Sequence, residues 1–265
     1  MLDDILICPK TQGRMTIDDA NGIAKVEGSG LSYPIRDGII DFLPDTEDRV
    51  TRAYDSFASS YDSYMSLSAW HWKLYVLIAW GLLDDKEVFN KILSSIPDGF
   101  AGVLLDVPVG TGMFTWEKYH SLNKARIIVI DYSLAMLKEA QKRYAEKGIQ
   151  NVTYIRGDVG NIPVQAASID ACFSMAGFHA FPDQDQALHE IVRVLKHNAI
   201  FSGCFYIKGK RLLTDIIVRT VLCAKGWFTA PFYSEQECLS KFGEYFTCHL
   251  TANLKSAFYF ALHKK

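Results

Sequence analysis

Val103-Leu104-Leu105-Asp106-Val107-Pro108-Val109-Gly110-Thr111-Gly112 is the stretch that decides the fold. An apolar run ends in an acidic residue, two glycines follow one residue apart, and a pattern able to open a helix begins at Met113. That order describes a buried strand, a tight turn, and a helix whose first backbone N–H groups face a bound ligand. Beyond it, strands and helices alternate as they do in a parallel sheet covered on both faces. Strands are predicted at 103–107, 126–130, 152–156, 169–175 and 199–206, with helices at 113–122, 133–147 and 185–195 between them. A helix at 234–242 and strands at 245–250 and 257–263 close the chain as an edge hairpin. The expected fold class is α/β: a doubly wound, mostly parallel seven-stranded sheet with helices on both faces, plus a small N-terminal β-rich segment.

Three acidic residues fall at the ends of separate strands: Asp106, Asp131 and Asp158. In an open parallel sheet, ligands bind beyond the carboxyl ends of the strands, so the three converge on one rim. A dinucleotide fingerprint would place a third glycine where Thr115 stands, so the loop argues against a pyrophosphate ligand. Asp131 is placed to accept hydrogen bonds from ribose hydroxyls, a role shared by several nucleotide-like ligands.

The ordered set D-V-P-V-G-T-G, V-I-D-Y-S-L-A-M-L, R-G-D-V, I-D-A-C-F-S-M-A-G-F-H-A-F-P-D and I-V-R-V-L-K-H-N resembles the class I methyltransferases. The resemblance covers roughly 54–206, and the order of the motifs carries it more than any one of them. It implies S-adenosyl-L-methionine as cofactor, with Asp106, Pro108, Gly110 and Gly112 around its methionine end. Asp131 is then expected at the ribose with Tyr132 and Met136 packing nearby, Asp158 at the adenine amino group, the Val159 backbone at the ring, and Met175 lining the pocket. The segment Y-D-S-F-A-S-S-Y-D is similar to one that folds over the cofactor in that family, which implies a contact from Tyr61. An aromatic face attracts a sulfonium cation, so the chemistry agrees. Pro108 replaces the first glycine of the commonest loop, and Asn198 stands where the family's usual K-P-G-G turn ends.

Composition limits the rest. The 265 residues suffice for one large domain with an appendage, and the formal net charge of -2 offers no field for phosphate backbones. No nucleic-acid partner, no membrane span and no signal peptide are expected, and the scattered cysteines suit a reducing cytoplasm. The domains are expected at 1–46, a small zinc-ribbon-like segment, and at 50–265. Cys8 stands alone in that first segment, so no metal is expected there. Tyr54, Phe57, Tyr61 and Tyr64 recur at helical spacing, and Trp72, Val76, Ala79, Trp80 and Leu83 form a second stripe.

Residues 208–233 read as a lid-like insertion over an apolar acceptor. Leu212, Leu213, Ile216, Ile217, Val221 and Leu222 project to one helical face with Asp215 and Arg219 opposite. A stripe of this kind could rest on a membrane surface, but no basic face accompanies it in the helical projection. If the acceptor is a hydroxyl, His179 is the best-placed general base, ahead of His71 and Tyr54. The expected function is methyl transfer to a small, apolar or aromatic acceptor. An RNA methyltransferase and a non-catalytic cofactor- or partner-binding protein of the same fold are the alternatives.

Overall fold

The computed structural model describes residues 4–44 and 86–265. Tyr61, together with the other aromatic residues and His71 singled out between 54 and 83, lies outside the described residues. The N-terminal segment contributes β1 (Met15–Asp18), β2 (Ile23–Val26), β3 (Ser32–Arg36) and β4 (Ile39–Asp41). Then follow α1 (Lys86–Leu93), β5 (Val103–Asp106), α2 (Trp116–His120), β6 (Arg126–Asp131), α3 (Leu134–Glu146), β7 (Val152–Arg156) and β8 (Ile169–Met175). The chain ends with α4 (Gln184–Val194), β9 (Leu195–Tyr206), α5 (Leu212–Ile217), α6 (Glu235–Tyr245), β10 (Phe246–Leu254) and β11 (Ala257–Lys264).

The strands of the described residues join in the order β1-β2-β3-β4-β7-β6-β5-β8-β9-β11-β10. The expected seven-stranded sheet is the part from β7 to β10, with parallel pairing as far as β9 and antiparallel pairing through β11 and β10. Strand order reverses at β5 and β8, so the crevice of a doubly wound sheet opens beyond Asp106 and Met175. Alternation along β5 serves both layers. Leu104 packs with Tyr119, Leu137 and Tyr144, while Leu105 packs with Leu188, Ile191 and Phe201 on the other face.

The N-terminal segment continues the sheet. β4 runs parallel to β7, with Ile39 to Asp41 opposite Tyr154 to Arg156. Beneath this pairing the Arg156 guanidinium reaches Asp41 at 3.3 Å, and both side chains are buried. Arg156 Nε also donates to the Tyr132 carbonyl, which joins the added strands to the loop just beyond Asp131.

Three sequence expectations change. The helix after the glycine loop is only Trp116–His120, because residues 113–115 are taken up by the turn that brings Thr115 under the sheet. The fifth parallel strand begins at Leu195, and Asn198 lies within it at φ 62°, a left-handed conformation asparagine tolerates. The insertion after β9 splits the apolar face of its projection, burying Leu222 of that face and exposing most of the rest. Thr214, Val218 and Leu222 are buried, and Leu212, Leu213, Ile216 and Val221 face solvent.

Candidate functional site

The rim is built around Asp106, at the end of β5 and 1% exposed. Its Oδ2 accepts from Tyr119 Oη at 2.6 Å and from Thr115 Oγ1 at 3.0 Å. Tyr144 Oη lies 3.2 Å from the same threonine hydroxyl. Oδ1, buried as well, has no hydrogen-bond partner among the described residues. Burial pushes the carboxyl up to about 7 against the lowering effect of the two hydroxyls, and nearby Asp131 adds to the rise. A native carboxylate with one oxygen saturated and the other bare is poised for a cationic donor.

Asp131 ends β6 and is fixed from both sides. Oδ2 accepts from the Gly110 amide at 2.8 Å and Oδ1 from the Ser133 amide at 2.9 Å. Ser133 in turn caps α3 by accepting from the Met136 amide. The glycine loop and the α3 N-terminus are therefore both held by one carboxylate. The two glycines differ in their reasons. Both have positive φ, 56° at Gly110 and 68° at Gly112. A Cβ on Gly110 would meet nothing within 4 Å, whereas one on Gly112 would fall 2.5 Å from Tyr144 Oη. Gly112 permits the close packing of loop on α3, and Gly110 leaves the space over the rim open.

The other expected residues are distributed as follows. Pro108 packs against the turn after β8, where a Cβ on Gly177 would overlap its ring. Met175 is buried at the end of β8, Met136 is buried in α3, and Tyr132 is half-buried beside Asp131. Asp158 is exposed and caps the short turn after β7 by accepting from the Gly160 amide at 2.8 Å, with Val159 buried next to it. The loop and β6-end residues thus gather at the switch point, and Asp158 and Val159 extend the same rim past β7.

His179 follows β8 in a one-turn helix, Phe178–Ala180. It is 6% exposed and stacks on Phe228 at 4.0 Å, and its Nδ1 accepts from the Tyr206 amide at 3.3 Å. Burial lowers its pKa to about 3. With Nδ1 accepting, the neutral ring carries its proton on Nε2, which makes that nitrogen a donor. The geometry gives His179 the task of joining the turn after β8 to the insertion.

Thr115, Tyr119 and Tyr144 are site residues that the sequence reading passed over. Thr115 and Tyr119 are one helical turn apart, so two hydroxyls at that spacing after a glycine loop are a usable signal. Tyr144 carries no such signal, since it reads only as one apolar position of α3.

Residues 104–198 match the family model described as "Methyltransferase domain". The demethylmenaquinone methyltransferase of Chlamydia caviae is 32% identical over 157 residues, which are 58% of this chain and 58% of that protein. An uncharacterised chloroplastic methyltransferase of Arabidopsis thaliana is 30% identical over 132 residues, 48% of this chain and 38% of its own length. The chain therefore spans less than two thirds of either relative. Among solved structures, a SAM-dependent methyltransferase from Aquifex aeolicus superposes with a TM-score of 0.56 at 17% identity, covering 80% of this chain and 98% of that one.

Proposed function

We propose that this chain is a class I, S-adenosylmethionine-dependent methyltransferase that transfers a methyl group to a small apolar acceptor of the quinone type, a reading supported by the methyltransferase-domain match over residues 104–198. The observation that carries the cofactor reading is the bare, buried Oδ1 of Asp106 beside the Gly110–Asp131 bond. S-adenosylmethionine would supply an activated methyl group on a cationic sulfonium, together with an ammonium, a ribose and an adenine. The residues present fit that group. Asp106 Oδ1 would accept from the ammonium, and the Tyr119 and Thr115 hydroxyls hold the carboxylate so that this oxygen is the one offered. Asp131, at the end of β6, would take the ribose hydroxyls. Asp158 and the Val159 backbone would meet the adenine.

Displacement at a methyl carbon needs alignment and exclusion of water, which the buried β5 and β8 ends provide. His179 takes no proton in this reading, because Nδ1 is engaged and the ring is neutral far below physiological pH. The acceptor class rests on the relative named for demethylmenaquinone.

Calorimetry with S-adenosylmethionine and S-adenosylhomocysteine tests the cofactor. Binding in the micromolar range that Asp131→Ala abolishes is expected, and no heat with either ligand would overturn the reading. Transfer of labelled methyl is then compared among a reduced demethylated naphthoquinone, a malonylated carrier protein and ribosomal RNA. Label on either of the last two, and none on the quinol, would reject the acceptor class while keeping the enzyme.

A further inference from the structure

We propose that the insertion after β9 is a docking surface for an anionic lipid bilayer, with α5 and the turn after it lying in the interface. Among the described residues, six large apolar side chains are exposed. Four of them sit in this one helical run: Leu212 at 78%, Leu213 at 54%, Ile216 at 49% and Val221 at 46%. The run comprises α5 and the single π-helical turn Val218–Leu222. It already has a core-facing side, since Thr214, Val218 and Leu222 are buried, the last two against Phe228 and Phe232. The exposed row is thus a second apolar face on a helix whose first is already satisfied.

Charge selects the occupant. The run's one carboxylate is turned inward, where Asp215 accepts from Tyr206 Oη at 2.5 Å and from the Gly209 amide at 2.9 Å. Arg219 and Lys225 are exposed, and Lys225 Nζ lies 4.6 Å over the half-buried Trp227 ring. Lys208 and Lys210, just upstream, answer Glu237 and Glu235 and so cancel the nearest acids of α6. What the run presents outward is aliphatic side chains interspersed with cations, next to a tryptophan. This combination matches the boundary between acyl chains and anionic headgroups. A second copy of the chain matches it poorly, because an isologous contact would set Arg219 and Lys225 against their own kind.

The basic character missing from the helical projection is supplied by tertiary structure, which engages half-buried Asp215 with Tyr206 and Gly209 and leaves Arg219 and Lys225 exposed. The run leaves the sheet at Tyr206, the carboxyl end of β9, on the same rim as Asp106 and Met175. Docking would hold that rim near the bilayer. The docking stands on this surface alone; only the supply of a lipid-soluble acceptor from the bilayer rests on the methyltransferase reading.

Co-sedimentation of the full chain with phosphatidylglycerol–phosphatidylcholine vesicles, against phosphatidylcholine alone, tests it. Partitioning to the anionic vesicles is expected, weakened at ~0.5 M salt and reduced roughly tenfold or more in the double variant Leu212→Asp, Ile216→Asp. Arg219→Gln with Lys225→Gln should remove the salt dependence. Unchanged S-adenosylhomocysteine binding by these variants shows that they fold. If no protein binds that ligand, circular dichroism shows folding instead, and the methyltransferase reading fails while the vesicle result stands. The proposal is overturned by a wild type that ignores anionic vesicles, or by a double variant that sediments as well as the wild type. It is also overturned by a lipid-free dimer that the double variant converts to monomer, which would make the face an interface between copies.

Discussion

Replacing Asp106 by asparagine should change how stability depends on pH, in a direction set by the buried carboxyl. In the folded protein burial raises this group from its ordinary 3.8 to about 7. The native state therefore holds a proton that the unfolded chain releases, and it does so between about pH 4 and pH 7. The contribution is fully present below the unfolded value and is lost as pH rises through the folded one. Over that interval, at 1.36 kcal/mol per unit, the loss comes to about 4 kcal/mol. Asparagine keeps an oxygen for Tyr119 and Thr115 but cannot titrate. It places an amide where Oδ1 has no partner, which costs about 1–3 kcal/mol at every pH. Urea unfolding of both proteins from pH 4 to pH 8 isolates the effect, since the other groups cancel in the difference. The wild type should lose about 4 kcal/mol relative to Asp106→Asn as pH rises to 7, and the difference should then be flat. A difference constant within about 1 kcal/mol across the range would refute the buried, half-satisfied carboxyl. Ligand binding should run the opposite way. An ammonium beside Oδ1 favours the ionised form, so wild-type affinity for S-adenosylhomocysteine should rise with pH up to about 7 and then level off.

Gly112→Ala should destabilise by about 3 kcal/mol, from a left-handed backbone together with a Cβ 2.5 Å from Tyr144 Oη. Gly110→Ala, with open space around its Cβ, should cost only about 1–2 kcal/mol in unfolding while losing cofactor affinity in calorimetry. Equal stability losses at the two positions would contradict the packing distinction. Arg156→Met leaves Asp41 buried without its cation and should cost about 3–5 kcal/mol in chemical denaturation; a loss under about 1 kcal/mol would show that the pair does not fasten β4 to β7. His179→Asn retains an acceptor for the Tyr206 amide and should leave kcat within about threefold, with an unaltered pH profile. A fall of about a hundredfold would restore the histidine as a base.

The N-terminal strands bear on the site through Arg156. One guanidinium reaches Asp41 on β4 and the Tyr132 carbonyl next to Asp131, so the segment braces the β6 end of the rim. In sequence, Asp41 is a charged residue in a turn-rich stretch and Arg156 is the last residue of a strand. Their pairing spans 115 positions and leaves no local trace.

Local physics made much of the protein legible in advance. Continuous apolar runs marked β5 and β6, the 3.6-residue stripe marked α3, and Gly110 and Gly112 after Asp106 marked the switch-point turn. These signals are readable because each depends on neighbours within a turn or a strand. What only the tertiary structure decided is the environment of individual side chains. It set Tyr144, thirty-odd residues beyond the loop, against Gly112 and Thr115. It enclosed His179 between Phe228 and the Tyr206 amide, and it set Asp215 against Tyr206 Oη, leaving Leu212, Leu213, Ile216 and Val221 outward while Leu222 of the same expected stripe is buried. Burial and charge pairing are sums over contacts distant in the chain, and so periodicity could place the Asp106 carboxyl at the rim but not show which of its oxygens would be left bare.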